Sequence, residues 1–193
     1  VVGTYKNYKI ITMPPPSSGG IALMQLLKIL EKFPLADFGF QSAQAVHVMV
    51  EAERRVYEDR SKYLGDSDFY RVPQDSLLDE TYLARRMQDF DPAKATVSIA
   101  PVPDSSILGV ETFETTHTSI VDAEGNAVSV TTTLNLNYGS KVIVSGAGFF
   151  LNDDMDDFSA KPGVPNYFGL IGAEANAIQP GKRMLSSMTP TVV

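Results

Sequence analysis

Cysteine is absent from these 193 residues. That excludes disulfides, thiolate nucleophiles and cysteine-ligated metal sites. No apolar run reaches the roughly 18 residues that a membrane-spanning helix needs. Positive charge is the minority sign, with 16 lysines and arginines against 23 acidic residues and a net charge of −7. A pI near 4.8 argues against nucleic acid and anionic membranes as partners. Histidine occurs only twice. A starting methionine is missing too. The opening "VVGTYKNYKIITMPPPSSGG" reads as the inside of a strand-rich region, and the closing "MTPTVV" as an apolar β-type run. Both ends are expected to be cuts through a longer protein, so the lack of a leader says nothing about export.

What is present suits a real core. Hydrophobic residues make up 44% of the chain, enough for one domain or a piece of a larger one. "YKNYKIITM" is a predicted strand. After the stiff "PPPSSGG", Leu23, Leu26, Leu27 and Leu30 fall at helical spacing, with Ser17 or Ser18 as cap. The Gly19–Gly20 pair at that helix start suits either an anion site or close backbone packing. A second predicted helix covers 42–65, with Ala45, Met49, Ala52 and Val56 as its apolar stripe and Glu51–Arg55 as an i,i+4 pair. Gly65 is placed to end it. His47 on this helix has no ligand-spaced partner and reads as structural. A third helix is predicted over 75–90, capped by Asp75 or Ser76. Residues 91–114 carry prolines 92, 101 and 103 and read as a linker. Strands are predicted at 115–122 and 127–136, and 142–151 is an apolar β-type stretch. The fold class is therefore α+β, with helices in 1–90 and a β-rich 115–193.

One strand raises a chemical question. Val128, Val130, Thr132, Leu134 and Leu136 alternate with Ala127, Ser129, Thr131, Thr133 and Asn135. One face is mostly apolar and the other carries hydroxyls and an amide. Between this strand and the one before it lies Ala123-Glu124-Gly125, a three-residue hairpin loop with glycine third. Asp122 and Asn126 then pair, which sets Thr115 opposite Thr133, His117 opposite Thr131, and Ser119 opposite Ser129. Asn135 follows on the same face. Ordinary cross-strand hydroxyl pairing explains such a face as well as a reaction site does.

The stretch "TTHTSIVDAEGNAVSVTTTLN" resembles the processing-site region of γ-glutamyltransferases (γ-glutamyltranspeptidases). So, in order, do "MPPPSSGG", "EAERRVYEDRSKYLGD", "GFFLNDDMDDFS", "KPGVPNYFGL" and "EANAIQPGKRMLSSMTPT". The resemblance implies an N-terminal-nucleophile (Ntn) hydrolase with an αββα sandwich, of which this chain holds part. It implies an inactive precursor that cuts itself between Glu114 and Thr115. Residues 1–114 then end a large subunit, with 91–114 as the linker to the cut, and residues 115–193 begin a small one. Thr115 is implied as nucleophile, with its freed α-amine as base and Thr133 as its hydrogen-bonding partner. Substrates are glutathione and related γ-glutamyl amides, and acceptors are water, amino acids or peptides. Neither cofactor nor metal is required. His117 is then a bystander, and Thr116 points away.

The resemblance also assigns the amino-acid head of the substrate. Asp154 and Asp157 take its ammonium, Ser186 and Ser187 its carboxylate, and Asn135 adds a polar contact. Read without the family, the acids suit a cation site or a solvated turn, and the serines a turn or helix cap. Two departures stand out. Position 154 is usually glutamine or glutamate, and aspartate is one methylene shorter. Phe168 stands where a lid aromatic often carries a polar handle, with Tyr167 beside it. The family's carboxylate-binding arginine lies before Val1 and its oxyanion glycine pair after Val193. The chain by itself is therefore expected to be uncut and inactive. The resemblance implies a periplasmic or extracellular location and a heterodimer completed by the rest of both subunits. Competing readings are an acylase or polyglutamate-acting relative, a non-catalytic relative or scaffold, and an acidic metal-binding domain.

Overall fold

The computed structural model describes residues 1–97, 115–166 and 171–193. Glu114, most of the linker, and the lid residues Tyr167 and Phe168 lie outside the described residues.

The first predicted strand is a hairpin. β1 (Val2–Tyr5) pairs antiparallel with β2 (Tyr8–Thr12) across a turn in which Lys6 has φ 53. A β5 strand at the far end of the chain (Thr191–Val192) adds to β2, giving the order β1-β2-β5. The apolar closing run is thus a sheet strand held by the opening one.

α1 (Gly19–Leu30) buries Ile21, Met24, Gln25 and Ile29, a face rotated away from the leucine stripe that its spacing predicts. Leu26 and Leu30 flank the core instead. Ser18 occupies the cap position without capping, because its hydroxyl is used on Ser186. The glycine pair resolves as close packing. A Cβ on Gly20 would stand 2.0 Å from the Met13 carbonyl oxygen, and one on Gly19 2.0 Å from Thr189 Oγ1.

A short α2 (Leu35–Phe38) leads to α3 (Ala43–Tyr63), where Ser42 accepts from the Ala45 N–H at 3.1 Å as an N-cap. α3 buries Ala45, Val48, Ala52 and Val56, while Met49 is exposed. Its buried side also carries Glu51, Arg55 and Asp59, which charge patterning alone assigns to solvent. The third predicted helix is two, α4 (Gln74–Leu77) and α5 (Glu80–Arg86). Asp79 is the true cap, accepting from Tyr82 N–H at 2.9 Å. One apolar cluster joins Ile21, Leu64, Leu77 and Leu185, and another joins Ile29, Ala52, Val56 and Leu83.

β3 (Thr115–Val121) and β4 (Ala127–Thr133) form a separate two-stranded sheet. Beyond them the expected β-rich region is mostly irregular. The stretch 142–151 folds back on itself through Val144 N–H to Phe149 O and Leu151 N–H to Val142 O, with a single bridge at Ile143 and Phe150. Glycines 146 and 148 have positive φ and break the run. Two short 3-10 helices follow, Asp154–Asp157 and Glu174–Asn176. The mixed helix and strand content holds, with less strand than the pattern suggests.

Buried charge is fully engaged in the helical half. Glu51 Oε2 accepts from Arg55 Nη1 and Thr96 Oγ1, both at 2.6 Å, and Oε1 accepts from Thr96 N–H. Burial opposes ionisation of Glu51, but the bonds from Thr96 and Arg55 outweigh it and hold its pKa at about 2. Because the folded pKa lies below the ordinary 4.5, this stabilisation is present above about pH 4.5 and lost as pH falls towards about 2. Glu51→Gln should therefore cost about 2–4 kcal/mol in urea unfolding at pH 7. The variant should also lose part of the parent's acid sensitivity between those two pH values.

Candidate functional site

The hairpin register is the one its loop dictates. Thr115 pairs with Thr133, His117 with Thr131, Ser119 with Ser129, and Val121 with Ala127. Gly125 takes φ +86, and Asp122 braces the loop by accepting from the Asn126 N–H at 2.8 Å and the Glu124 N–H at 2.9 Å. Both strands of the hairpin are open to solvent. Val121 is 71% exposed and Val128 52%, while Ser129, Thr131 and Thr133 on the Thr115 face are half-buried.

Thr115 Oγ1 donates to Thr133 Oγ1 at 3.1 Å. Thr133 Oγ1 also accepts from the Asn135 N–H at 3.0 Å. That second donor polarises the Thr133 hydroxyl and fixes where Thr115 Oγ1 rests. His117 is turned to other partners, with Nδ1 2.7 Å from Thr131 Oγ1 and Nε2 3.1 Å from Ser119 Oγ. It shares a face with Thr115 but shares no hydrogen bond with it.

Asn135 does not continue the strand face. β4 ends at Thr133, and Asn135 sits at φ 75, a left-handed conformation that asparagine tolerates better than most residues. The expected run of the strand to 136 is corrected by this turn. The turn has a use: Leu136 N–H donates to Asp153 Oδ1 at 3.0 Å, and Asp153 N–H donates to the Leu134 carbonyl at 3.1 Å. Asn135 Nδ2 reaches the Asp153 carbonyl at 3.4 Å. The end of the hairpin is thereby fastened to the acidic turn.

In that turn, Asp154 Oδ1 is buried and accepts no hydrogen bond among the described residues. Burial, helped by Asp153, pushes the Asp154 pKa up. Asp157 is pushed up to about 6, first by burial and then by Asp154, while Arg60 pulls the other way. Two carboxylates that resist ionisation side by side form a site short of one positive charge. A cavity of about 200 Å³ opens beside Asp157, lined among others by Arg60, Phe158, Val164, Gly172 and Leu185.

Of the two serines, Ser187 meets Arg60, which also lines that cavity. Ser187 Oγ accepts from Arg60 Nη2 at 2.9 Å, and Ser186 Oγ accepts from the Met188 N–H at 3.1 Å. The structure thus joins Thr115, Thr133, Asn135 and the acidic turn by hydrogen bonds; Ser187 is joined to Arg60, which lines the same cavity as Asp157. Sequence reading counted Arg60 only among the mixed charges of its helix. The available signal was its place in "EAERRVYEDRSKYLGD", one of the resembling blocks. His47 is structural, with Nε2 2.8 Å from the Asp91 carbonyl and its ring against Phe90. No group of three or more His, Asp or Glu suited to a metal ion occurs among the described residues, and no helix there is long and apolar enough to cross a membrane.

A family model described as Gamma-glutamyltranspeptidase matches residues 1–193. The chain belongs to the gamma-glutamyltranspeptidase family. This family member is 48% identical over 193 residues to the glutathione hydrolase proenzyme of Escherichia coli (strain K12), covering 100% of this chain and 33% of that protein. It is 54% identical over 192 residues to the glutathione hydrolase proenzyme of Pseudomonas aeruginosa, covering 98% and 33%. The crystal structure of cephalosporin acylase from Bacillus halodurans superposes with a TM-score of 0.74 over 99% of this chain and 31% of that one. At 21% identity this shows a shared fold alone. The gamma-glutamyltranspeptidase chain described here spans about a third of the length of the curated relatives it matches.

The raised pKa of Asp157 has a measurable consequence. An acid whose folded pKa lies above its ordinary value favours the fold below about pH 3.8, and that contribution is lost as pH rises through about 6. Asp157→Asn removes the charge and keeps the shape. Thermal melting should show the variant more stable than the parent at pH 8, by on the order of 1 kcal/mol after solvent screening, and equal to it at pH 4.

Proposed function

We propose that this chain is part of an enzyme that hydrolyses and transfers γ-glutamyl groups, with Thr115 as nucleophile. One observation carries the reading: a bonded Thr115–Thr133 hydroxyl pair is fastened, through residues 134–136, to an acidic turn whose Asp154 oxygen lacks a donor. A hydroxyl nucleophile beside a site that wants an ammonium group fits an amide of an amino acid. The relatives' names, glutathione hydrolase proenzyme, support both the substrate class and an inactive precursor. An acylase reading draws on the 36% identical acylase ACY 1 proenzyme of Pseudomonas sp. (strain SE83). The unfilled carboxylate oxygen favours the γ-glutamyl head.

In the precursor, Thr115 Oγ1 adds to the Glu114 carbonyl carbon, and the C–N bond breaks to leave an ester and a free α-amine. Water cleaves the ester, which releases the Glu114 carboxylate and restores the Thr115 hydroxyl. The α-amine, with an ordinary pKa of about 7.7–8.0, is partly neutral near pH 7 and accepts the hydroxyl proton during catalysis. Thr115 Oγ1 then attacks the γ-carbonyl carbon, and the amine product departs with that proton. Water or an acceptor amine resolves the γ-glutamyl ester. Throughout, Thr133 holds Thr115 Oγ1, and its hydroxyl can rotate to donate when Thr115 gives up its proton. Asp154 and Asp157 bind the ammonium, Ser186 and Ser187 the carboxylate, and Asn135 contributes beside them. Tyr167 and Phe168 are proposed to cover the pocket.

The same proposal makes residues 1–114 the end of a large subunit and 115–193 the start of a small one, halves of a partial αββα Ntn-hydrolase sandwich. The exposed hairpin suits a sheet that the rest of both subunits would cover. A periplasmic or extracellular location goes with this reading and is tested by cell fractionation.

Expressing the full-length protein and sequencing the N-terminus of its smaller piece tests the cut, and a start at Thr115 is expected. Thr115→Ala should leave one uncut chain without turnover of a γ-glutamyl anilide. Thr133→Ala should slow turnover about 10–100-fold, with Thr133→Ser restoring most of it. A correctly folded full-length protein that never cuts would favour a non-catalytic relative. The 193-residue chain alone should run as one 21.0 kDa species by intact mass, with negligible turnover. Two pieces or family-like activity would contradict that.

A further inference from the structure

Arg60 is the residue around which the serine pair is arranged. It stands near the end of α3 and crosses to two other segments. Its Nε donates to Ser18 Oγ at 3.0 Å and its Nη2 to Ser187 Oγ at 2.9 Å. A guanidinium only donates, so both hydroxyls must accept from it. Each hydroxyl has one proton left to give. Ser18 gives its proton to the Ser186 carbonyl at 2.8 Å, and the Ser18 N–H bonds the same oxygen at 2.8 Å. Ser187 is exposed, and the described residues provide no acceptor for its proton. Ser186 is in the same state, with its oxygen occupied by the Met188 N–H and its proton unassigned. Two neighbouring hydroxyls thus each keep a proton that is not given to any described residue.

We propose that Arg60 is a positioning residue that sets the hydrogen-bond polarity of this pair for the α-carboxylate of the substrate. Resting on the γ-glutamyl reading above, the inference adds how the carboxylate is told from a neutral group. With Arg60 donating to Ser187 Oγ, the hydroxyl proton is directed away from the guanidinium and is free to donate to what enters, and a carboxylate oxygen is an acceptor only. Through Ser18, Arg60 also fixes the backbone from which Ser186 projects. A substrate lacking the carboxylate leaves these donors unpaired, which is how a polar site rejects an analogue.

The test uses the full-length protein, the γ-glutamyl anilide, and the 4-aminobutyryl anilide, which lacks only the α-carboxylate. Arg60→Gln should raise KM for the γ-glutamyl anilide about 10-fold, the scale of one charge-assisted hydrogen bond, with kcat changed less than about 2-fold. On the 4-aminobutyryl anilide, parent and variant should agree. Arg60→Lys keeps the charge but cannot serve both hydroxyls, so its KM should fall between the two. Combining Arg60→Gln with Ser187→Ala should cost less than the two single losses together, since both act on the Ser187 proton. Equal losses on both anilides would mean a general structural role and overturn the proposal, as would full rescue by Arg60→Lys or additive effects. Should the Arg60 variants fail to fold by thermal melting, Ser187→Ala decides alone: undiminished preference for the carboxylate-bearing anilide overturns the proposal. A parent that turns over neither anilide overturns the γ-glutamyl reading and this one together, whereas normal parent turnover with indifferent Arg60 variants overturns this one only.

Discussion

The crossing of the opening and closing segments at Ser18 and Ser186 is the constraint on which the rest of the structure depends. Ser186 N–H bonds the Pro16 carbonyl, the Ser186 carbonyl takes two bonds from Ser18, and the Met188 carbonyl takes the Ser17 hydroxyl at 2.6 Å. These bonds join residues some 170 apart in sequence. Loop closure on that scale costs entropy only slowly with length, but it needs well-made contacts at the joint to offset it. The small side chains there allow those contacts, because Gly19 and Gly20 let the backbone of α1 approach Thr189 and Met13. From this joint the chain runs on to β5, which completes the first sheet. There the Thr191 N–H takes Ser129 Oγ of the hairpin as acceptor at 3.1 Å. The helical half and the threonine hairpin are thus referred to one point.

Charge is handled in opposite ways at the two ends of α3. At Glu51 and Arg55 every buried charge has a partner, and the carboxylate is held low. Asp66 is likewise held low by Arg183, across the joint between α3 and the closing segment. At Asp154 and Asp157 the carboxylates are pushed up and one oxygen is unpaired. A fold that pairs Glu51 and Asp66 with arginines and leaves two acids pushed up at one turn places electrostatic cost where a ligand could relieve it.

What the sequence made legible was what local rules govern. The Ala123-Glu124-Gly125 loop dictated the register, and with it the Thr115–Thr133 pair, without reference to any family. The Glu51–Arg55 pair followed from i,i+4 spacing, but its burial did not, because burial depends on Thr96 and Asp89 arriving from elsewhere. The leucines of α1 misled for the same reason: the sheet and Leu64 decide which face is inside, and they favour Ile21 and Met24. Residues 142–151 look like a strand by composition, yet they have no neighbour to pair with among the described residues and fold on themselves. Asn135 kept its predicted neighbourhood but reached it by leaving the strand. Arg60 was marked only by its place in a resembling block, since nothing in the charge pattern of its helix singles out the arginine that bonds two distant serines.

His117 shows why geometry must come before residue type. A histidine two residues from a threonine, on one strand face, suggests a base and its nucleophile. In the hairpin its two ring nitrogens are taken up by Thr131 and Ser119, and Thr115 is turned to Thr133. Thr115 carries a nitrogen of its own beside its hydroxyl, the backbone nitrogen, which is an amide in the intact chain and cannot accept a proton. In the proposed mechanism it becomes a base when the bond to Glu114 is broken. On the proposed reading the cut does more than uncover the site: it creates the catalytic group, and an uncut chain with every other residue in place would still lack its base.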